Sequence, residues 1–198
     1  MFRSLLCALV LTAALPASAQ LSTAERKIAA AVDADAEGTL TLLERMVNRN
    51  SGTLNLAGVR AMGEMLRPEF EALGFEVEWI ELPETHRAGH FLATHTGNGR
   101  GKRMLLIAHV DTVFQASSPF QKFTREGEKA IGPGVVDDKG GIAVILAALR
   151  AMDKAGTLKN ADIKVMLTGD EEKTGDPIPV ARRDLIEAGK WADVALEF

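Results

Sequence analysis

The stretch Met104-Leu-Leu-Ile-Ala-His-Val-Asp-Thr-Val-Phe114 decides how the rest of the chain reads. Residues 104–108 form a continuous apolar run, which suits a central strand buried on both faces. A histidine and an aspartate, His109 and Asp111, stand two residues apart just beyond it. A second strand is expected over 163–168, followed by Glu171 and Glu172 in LTGDEEKTGD. Asp137 and Asp138 lie between the two, in GPGVVDDKGG, directly before an apolar helical run over 141–152. Three polar clusters thus sit at junctions with very apolar elements. In an open α/β sheet, sites form beyond the carboxyl ends of central strands.

The flanking sequence supports that fold class. Ser22 and Glu25 have capping-box spacing ahead of a long amphipathic helix to about residue 47, with a break expected near Gly38. Leu56, Val59, Met62, Met65, Leu66 and Phe70 recur at helical spacing, with Pro68 inside the pattern and Gly74 as the stop. Residues 75–82 alternate as a half-exposed strand does, and 91–96 read as another. Residues 97–101 read as a hairpin-like turn. A short helix over 182–188 and a strand from 193 complete the pattern. Strands alternating with helices predict an α/β fold: a mixed, largely parallel sheet flanked by helices.

Composition narrows the function. The 198 residues are 46% hydrophobic and 25% charged, an ordinary globular mixture. A formal net charge of −4 gives no basic surface for nucleic acid. Arg3, an apolar run from Leu5 to Leu15 and the small residues Ala17 and Ala19 read as a secretory signal peptide over 1–19, cleaved after Ala19. That run is too short to span a bilayer, so no membrane anchor is expected after cleavage, and the product is periplasmic or secreted. The single cysteine, Cys7, lies inside it, so the mature chain has no thiolate for a nucleophile or a metal. A metal site has to use His, Asp and Glu, a set suited to zinc or a similar divalent ion. Each cluster alone has an ordinary reading as a turn, cap or solvated loop. Together they are specific, because buried strand ends do not collect several carboxylates without a cation to balance them.

At this point the chain resembles the zinc-dependent M20 metallopeptidases, in particular their secreted, glutamate carboxypeptidase-like members. VNRNSGT, LGFEVE, LLIAHVDTVF, GPGVVDDKGGIAVIL, LTGDEEKTG and ADVALEF occur in family order over nearly all of residues 20–198. The residues alone leave open which of Asp137 and Asp138, and which of Glu171 and Glu172, plays which part. The resemblance assigns His109, Asp137 and Glu172 as metal ligands, with Asp137 bridging two zinc ions. It makes Asp111 the carboxylate that orients the imidazole, makes Glu171 the general base, and implies a cis peptide bond between Asp137 and Asp138. It implies a zinc-peptidase-like architecture, with hydrolysis of a small peptide or an N-acyl amide by metal-activated water and release of a C-terminal residue such as glutamate. A ligand just past Phe198, a late histidine and a smaller domain that often dimerises complete the family pattern. Residues 20–198 are therefore read as the N-terminal part of a longer, truncated enzyme, expected to be inactive alone and a homodimer when complete.

Other readings are an N-acyl amino acid deacylase on the same scaffold and an exported, non-catalytic metal-binding protein. Calcium prefers oxygen ligands and gives His109 no role. Neither a dinucleotide-binding glycine motif nor a P-loop follows a strand, and there is no nucleophile elbow. His86, His90 and His95 are read as surface or core-satisfied histidines, not ligands.

Overall fold

The structure is a computed structural model that describes residues 20–198; the signal-peptide reading of residues 1–19 lies outside the described residues. No helix among the described residues is long and apolar enough to cross a membrane. Two helices open it, α1 (Thr23–Ala34) and α2 (Ala36–Val47). The capping box is formed: the Ser22 hydroxyl accepts from the Glu25 N–H, and the Glu25 carboxylate accepts from the Ser22 N–H. The break falls at Asp35, not at Gly38, because Asp35 leaves helical geometry with ψ 10°. None of α1 is buried, whereas α2 buries Leu42, Leu43, Met46 and Val47. The amphipathic pattern of α1 lies on the periphery.

Helix α3 (Leu56–Glu71) carries Pro68 in its last turn, and Gly74 leaves it at φ +81°. The chain then forms β1 (Glu76–Leu82), β2 (Arg87–His95) and β3 (Met104–His109). A small hairpin follows, β4 (Thr124–Glu126) and β5 (Lys129–Ile131), then α4 (Lys139–Lys154) and β6 (Ile163–Thr168). Two helices, α5 (Ile178–Ala181) and α6 (Arg183–Trp191), lead to β7 (Val194–Glu197). The β4–β5 hairpin is absent from the sequence expectations. Its signal is Gly127 at φ +61°, the first central position of a two-residue turn.

The main sheet has the order β1-β2-β6-β3-β7. The β1/β2 and β2/β6 pairs are antiparallel, and β3/β6 and β3/β7 are parallel, so the sheet is mixed. The turn at 97–101 does not join a hairpin, since β6 is inserted between β2 and β3. The Gly97 and Gly99 N–H groups donate instead to the Asp162 carboxylate at 2.9 and 3.0 Å, which ties the turn to the start of β6.

Alternation along the strands builds two cores. Phe91, Ala93, Leu106, Ala108, Val165 and Leu167 face α2, α3 and α4, where Met46, Met62, Phe70, Ile142 and Leu146 close the interior. Leu105 and Met166 point the other way, under Ala188 of α6. With both faces covered, the polar groups at the carboxyl ends of β3 and β6 lie at the edge of the sheet.

Candidate metal centre

The site is built where β3 and β6 end side by side, with Ala108 paired to Leu167 and His109 to Thr168. Parallel pairing sends the two following loops out of the same edge, so residues far apart in sequence converge. A third loop joins them. Thr112 N–H donates to the Ser51 carbonyl at 2.9 Å, and Thr53 N–H donates to the Thr112 carbonyl at 3.1 Å. That pairing places Thr53 against Asp111.

Asp111 is fully buried and is the hub. Its Oδ2 accepts from the Thr53 hydroxyl at 2.7 Å and from the Glu172 N–H at 3.2 Å. Its Oδ1 accepts from the Glu171 N–H at 3.1 Å. Burial opposes its charge, yet the bonds from His109, Thr53 and the Glu171 backbone outweigh burial and hold the carboxyl below its usual range.

His109 is oriented at both nitrogens. Nδ1 lies 3.1 Å from the Asp111 carbonyl oxygen and 3.4 Å from its Oδ1, while Nε2 lies 2.8 Å from Asp137 Oδ1. A carbonyl oxygen only accepts, so Nδ1 carries a proton and Nε2 is the nitrogen free to ligate once deprotonated. Burial disfavours the imidazolium, but the carboxylates of Asp111, Asp137 and Asp138 overcome it and push the pKa up to about 9.

The peptide bond between Asp137 and Asp138 is cis. Asp137 is exposed, while Asp138 is buried and accepts the His109 main-chain N–H at 3.2 Å. Burial pushes the Asp138 carboxyl up to about 6. The next residue, Lys139, is also buried; its ammonium donates to the Arg49 carbonyl at 2.9 Å, and burial lowers its pKa to about 8. Gly134 sits beneath this loop at φ +73°, where a Cβ would meet Thr112 Cγ2 at 2.7 Å.

One donor atom each from His109, Asp137 and Glu172 lie within 4.8 Å of one another. One imidazole nitrogen and two carboxylate oxygens fit a zinc-like divalent ion. Burial, then Asp137, raises the Glu172 carboxyl, the mark of acids crowded together. Ion pairs among the described residues set arginine against Glu69, Asp170 and Asp193, and none against Asp137, Glu171 or Glu172. The three donors stand between two clefts. One of about 170 Å³ is lined by His109, Asp138, Thr168 and Glu171. The other, about 430 Å³, is lined by Phe114, Phe120, Val136, Asp137 and Glu172.

All five residues singled out in the sequence therefore meet at one sheet edge. Thr53, Asp138 and Lys139 were not singled out for these contacts. Thr53 ends the VNRNSGT motif but lies 58 positions from its partner, which that motif does not reveal. The remaining histidines are elsewhere: His86 is exposed, His90 is buried and bonded to Ala181, and His95 is bonded to Ala161 and packed on Phe75.

Comparison with known proteins identifies relatives of the chain. The family model described as Peptidase family M20/M25/M40 matches residues 105–195. Carboxypeptidase G2 of Pseudomonas sp. (strain RS-16) is 34% identical over 99% of this chain and 46% of its own length. Acetylornithine deacetylase of Klebsiella pneumoniae (strain 342) is 41% identical over 52% of this chain and 27% of its own. The di-peptidase Dug1p of Saccharomyces cerevisiae shares the fold, with a TM-score of 0.71 at 15% identity over 87% of this chain and 40% of that one. The chain spans less than half the length of these relatives. Matched over nearly its whole length, and bearing a His/Asp/Glu donor set where its two parallel strands end, the chain belongs to the peptidase family M20/M25/M40.

Proposed function

We propose that this chain is the N-terminal part of the catalytic domain of an exported, zinc-dependent hydrolase of peptide-like C–N bonds. The observation that carries the reading is the convergence of His109, Asp137 and Glu172 within 4.8 Å of one another. Those three residues would hold the ion, and Asp137 would be the carboxylate shared with a second. A bound divalent ion supplies a Lewis acid for the scissile carbonyl and lowers the pKa of water. Glu171, exposed beside His109 at the smaller cleft, takes the proton from the attacking water and returns it to the leaving amine. Asp111 acts indirectly: it fixes the backbone N–H groups of Glu171 and Glu172 and the ring of His109. The substrate is a small peptide or N-acyl amino acid, and release of a C-terminal residue, as in a carboxypeptidase, is the leading reaction.

Deacylation on the same scaffold is the second reading, favoured by the similarity to an acetylornithine deacetylase. Homodimerisation belongs to the same proposal for the longer protein. The test is metal analysis of the purified longer protein, of which this chain is the N-terminal part, with hydrolysis assays on N-acyl glutamates and dipeptides. Zinc with amide turnover that disappears in Glu171→Gln supports the reading. Calcium alone, or turnover unaffected by that substitution, overturns it.

A further inference from the structure

The segment carrying Glu171 and Glu172 is braced by side chains that the chemistry above does not use. Asp170 is fully buried; its Oδ1 accepts from Arg182 Nη1 at 2.5 Å, and its Oδ2 accepts from the Gly175 N–H at 2.8 Å. Arg182 Nη2 donates to Thr174 Oγ1 at 2.7 Å and to the Asp170 carbonyl at 3.3 Å. His90, also fully buried, accepts the Gly169 N–H at Nδ1 (3.2 Å) and donates from Nε2 to the Ala181 carbonyl at 2.9 Å. One imidazole thus joins the two ends of the segment, and the Asp170–Arg182 pair crosses its middle. Arg182 also lines the cleft shared by His109 and Glu171.

A buried ion pair is a weak source of stability, because desolvation offsets most of the attraction. Its fork geometry does fix orientation, and a guanidinium reaching a carboxylate, a carbonyl and a hydroxyl at once fixes all three. We propose that Arg182 is a positioning residue for Glu171 and Glu172, acting through Asp170 and Thr174. The proposal rests on the metal-hydrolase reading of the site. Arg182 holds the turn 170–175 rigid, so that Glu172 meets His109 and Asp137 with its carboxylate already aimed.

The test is Co²⁺ binding to the purified protein, followed by visible absorption. The double substitution Asp170→Asn with Arg182→Gln removes both charges, so no buried charge is left unpaired. Its Co²⁺ dissociation constant is expected to rise by about 10–100-fold, the usual effect of losing a group that orients a ligand. The metal-free melting midpoint is expected to move by only a few degrees. Arg182→Lys keeps a cation beside Asp170 but lacks the fork, and should also lose about tenfold. It decides the matter if the double variant does not fold. Affinity within about twofold of wild type in a folded variant overturns the clamp. Wild-type protein that binds no Co²⁺ overturns the metal-site reading itself and the clamp with it.

Discussion

Asp111 accepts the backbone N–H of Glu172 at 3.2 Å, so a buried carboxylate at the end of β3 sets where a candidate ligand beyond β6 begins. The same carboxylate accepts from Thr53 and from the Glu171 N–H. Asp111→Ala removes the carboxylate acceptor of three buried or half-buried donors. A loss of about 3 kcal/mol is expected on denaturant unfolding of the metal-free protein. A loss under about 1 kcal/mol would show that the hub is not structural.

The pH dependence separates metal-free from metal-loaded protein. His109 has a folded pKa of about 9 against 6.5 for a free imidazole, so its contribution is fully present below pH 6.5 and is lost as pH rises through about 9. Asp138, raised to about 6, has finished most of its loss above that pH, and Lys139, lowered to about 8, begins to relieve its burial penalty only near there. Between about pH 6.5 and 8, unfolding free energy of the metal-free chain should fall with pH. Zinc requires a deprotonated Nε2, so its stabilisation should grow over the same window. Denaturant titrations with chelator and with zinc measure both slopes, and a flat metal-free slope contradicts the account.

Gly169 begins the loop after β6, and a Cβ there would lie 2.3 Å from the Gly89 carbonyl oxygen. Gly169→Ala must push the loop away from β2. A loss of about 1–3 kcal/mol is expected, with a weakened metal affinity, measured by unfolding and by zinc competition. Wild-type affinity would mean that the position of the loop on β2 does not matter to the site.

The capping box predicts a local effect rather than a global one. Ser22→Ala removes a bond worth about 1 kcal/mol to α1, but that helix buries none of its residues. Amide exchange over Thr23–Ala34 should accelerate while the global melting midpoint hardly moves. A large drop in that midpoint would show α1 to be part of the cooperative core.

The strand β3 was legible because its apolar run is unbroken, and β6, interrupted by Lys164, has the same bounds in sequence and structure. The five site residues were legible because they interrupt those apolar elements, although their roles came from motif resemblance. The insertion of β6 between β2 and β3 was not legible, since periodicity describes a strand's faces and says nothing about its neighbours. Thr53, Asp138 and the His90 brace were hidden for a related reason. Each acts through long-range hydrogen bonds to partners that its own stretch of sequence does not reveal.

The most direct measurement is the zinc content and affinity of the purified protein with His109→Ala, Asp137→Ala, Glu172→Ala and Glu171→Gln, and with His86→Ala as an exposed control. The account predicts that the first three lose metal affinity by at least about 100-fold, while Glu171→Gln and His86→Ala keep it. Zinc bound with wild-type affinity after any of the first three substitutions would contradict it.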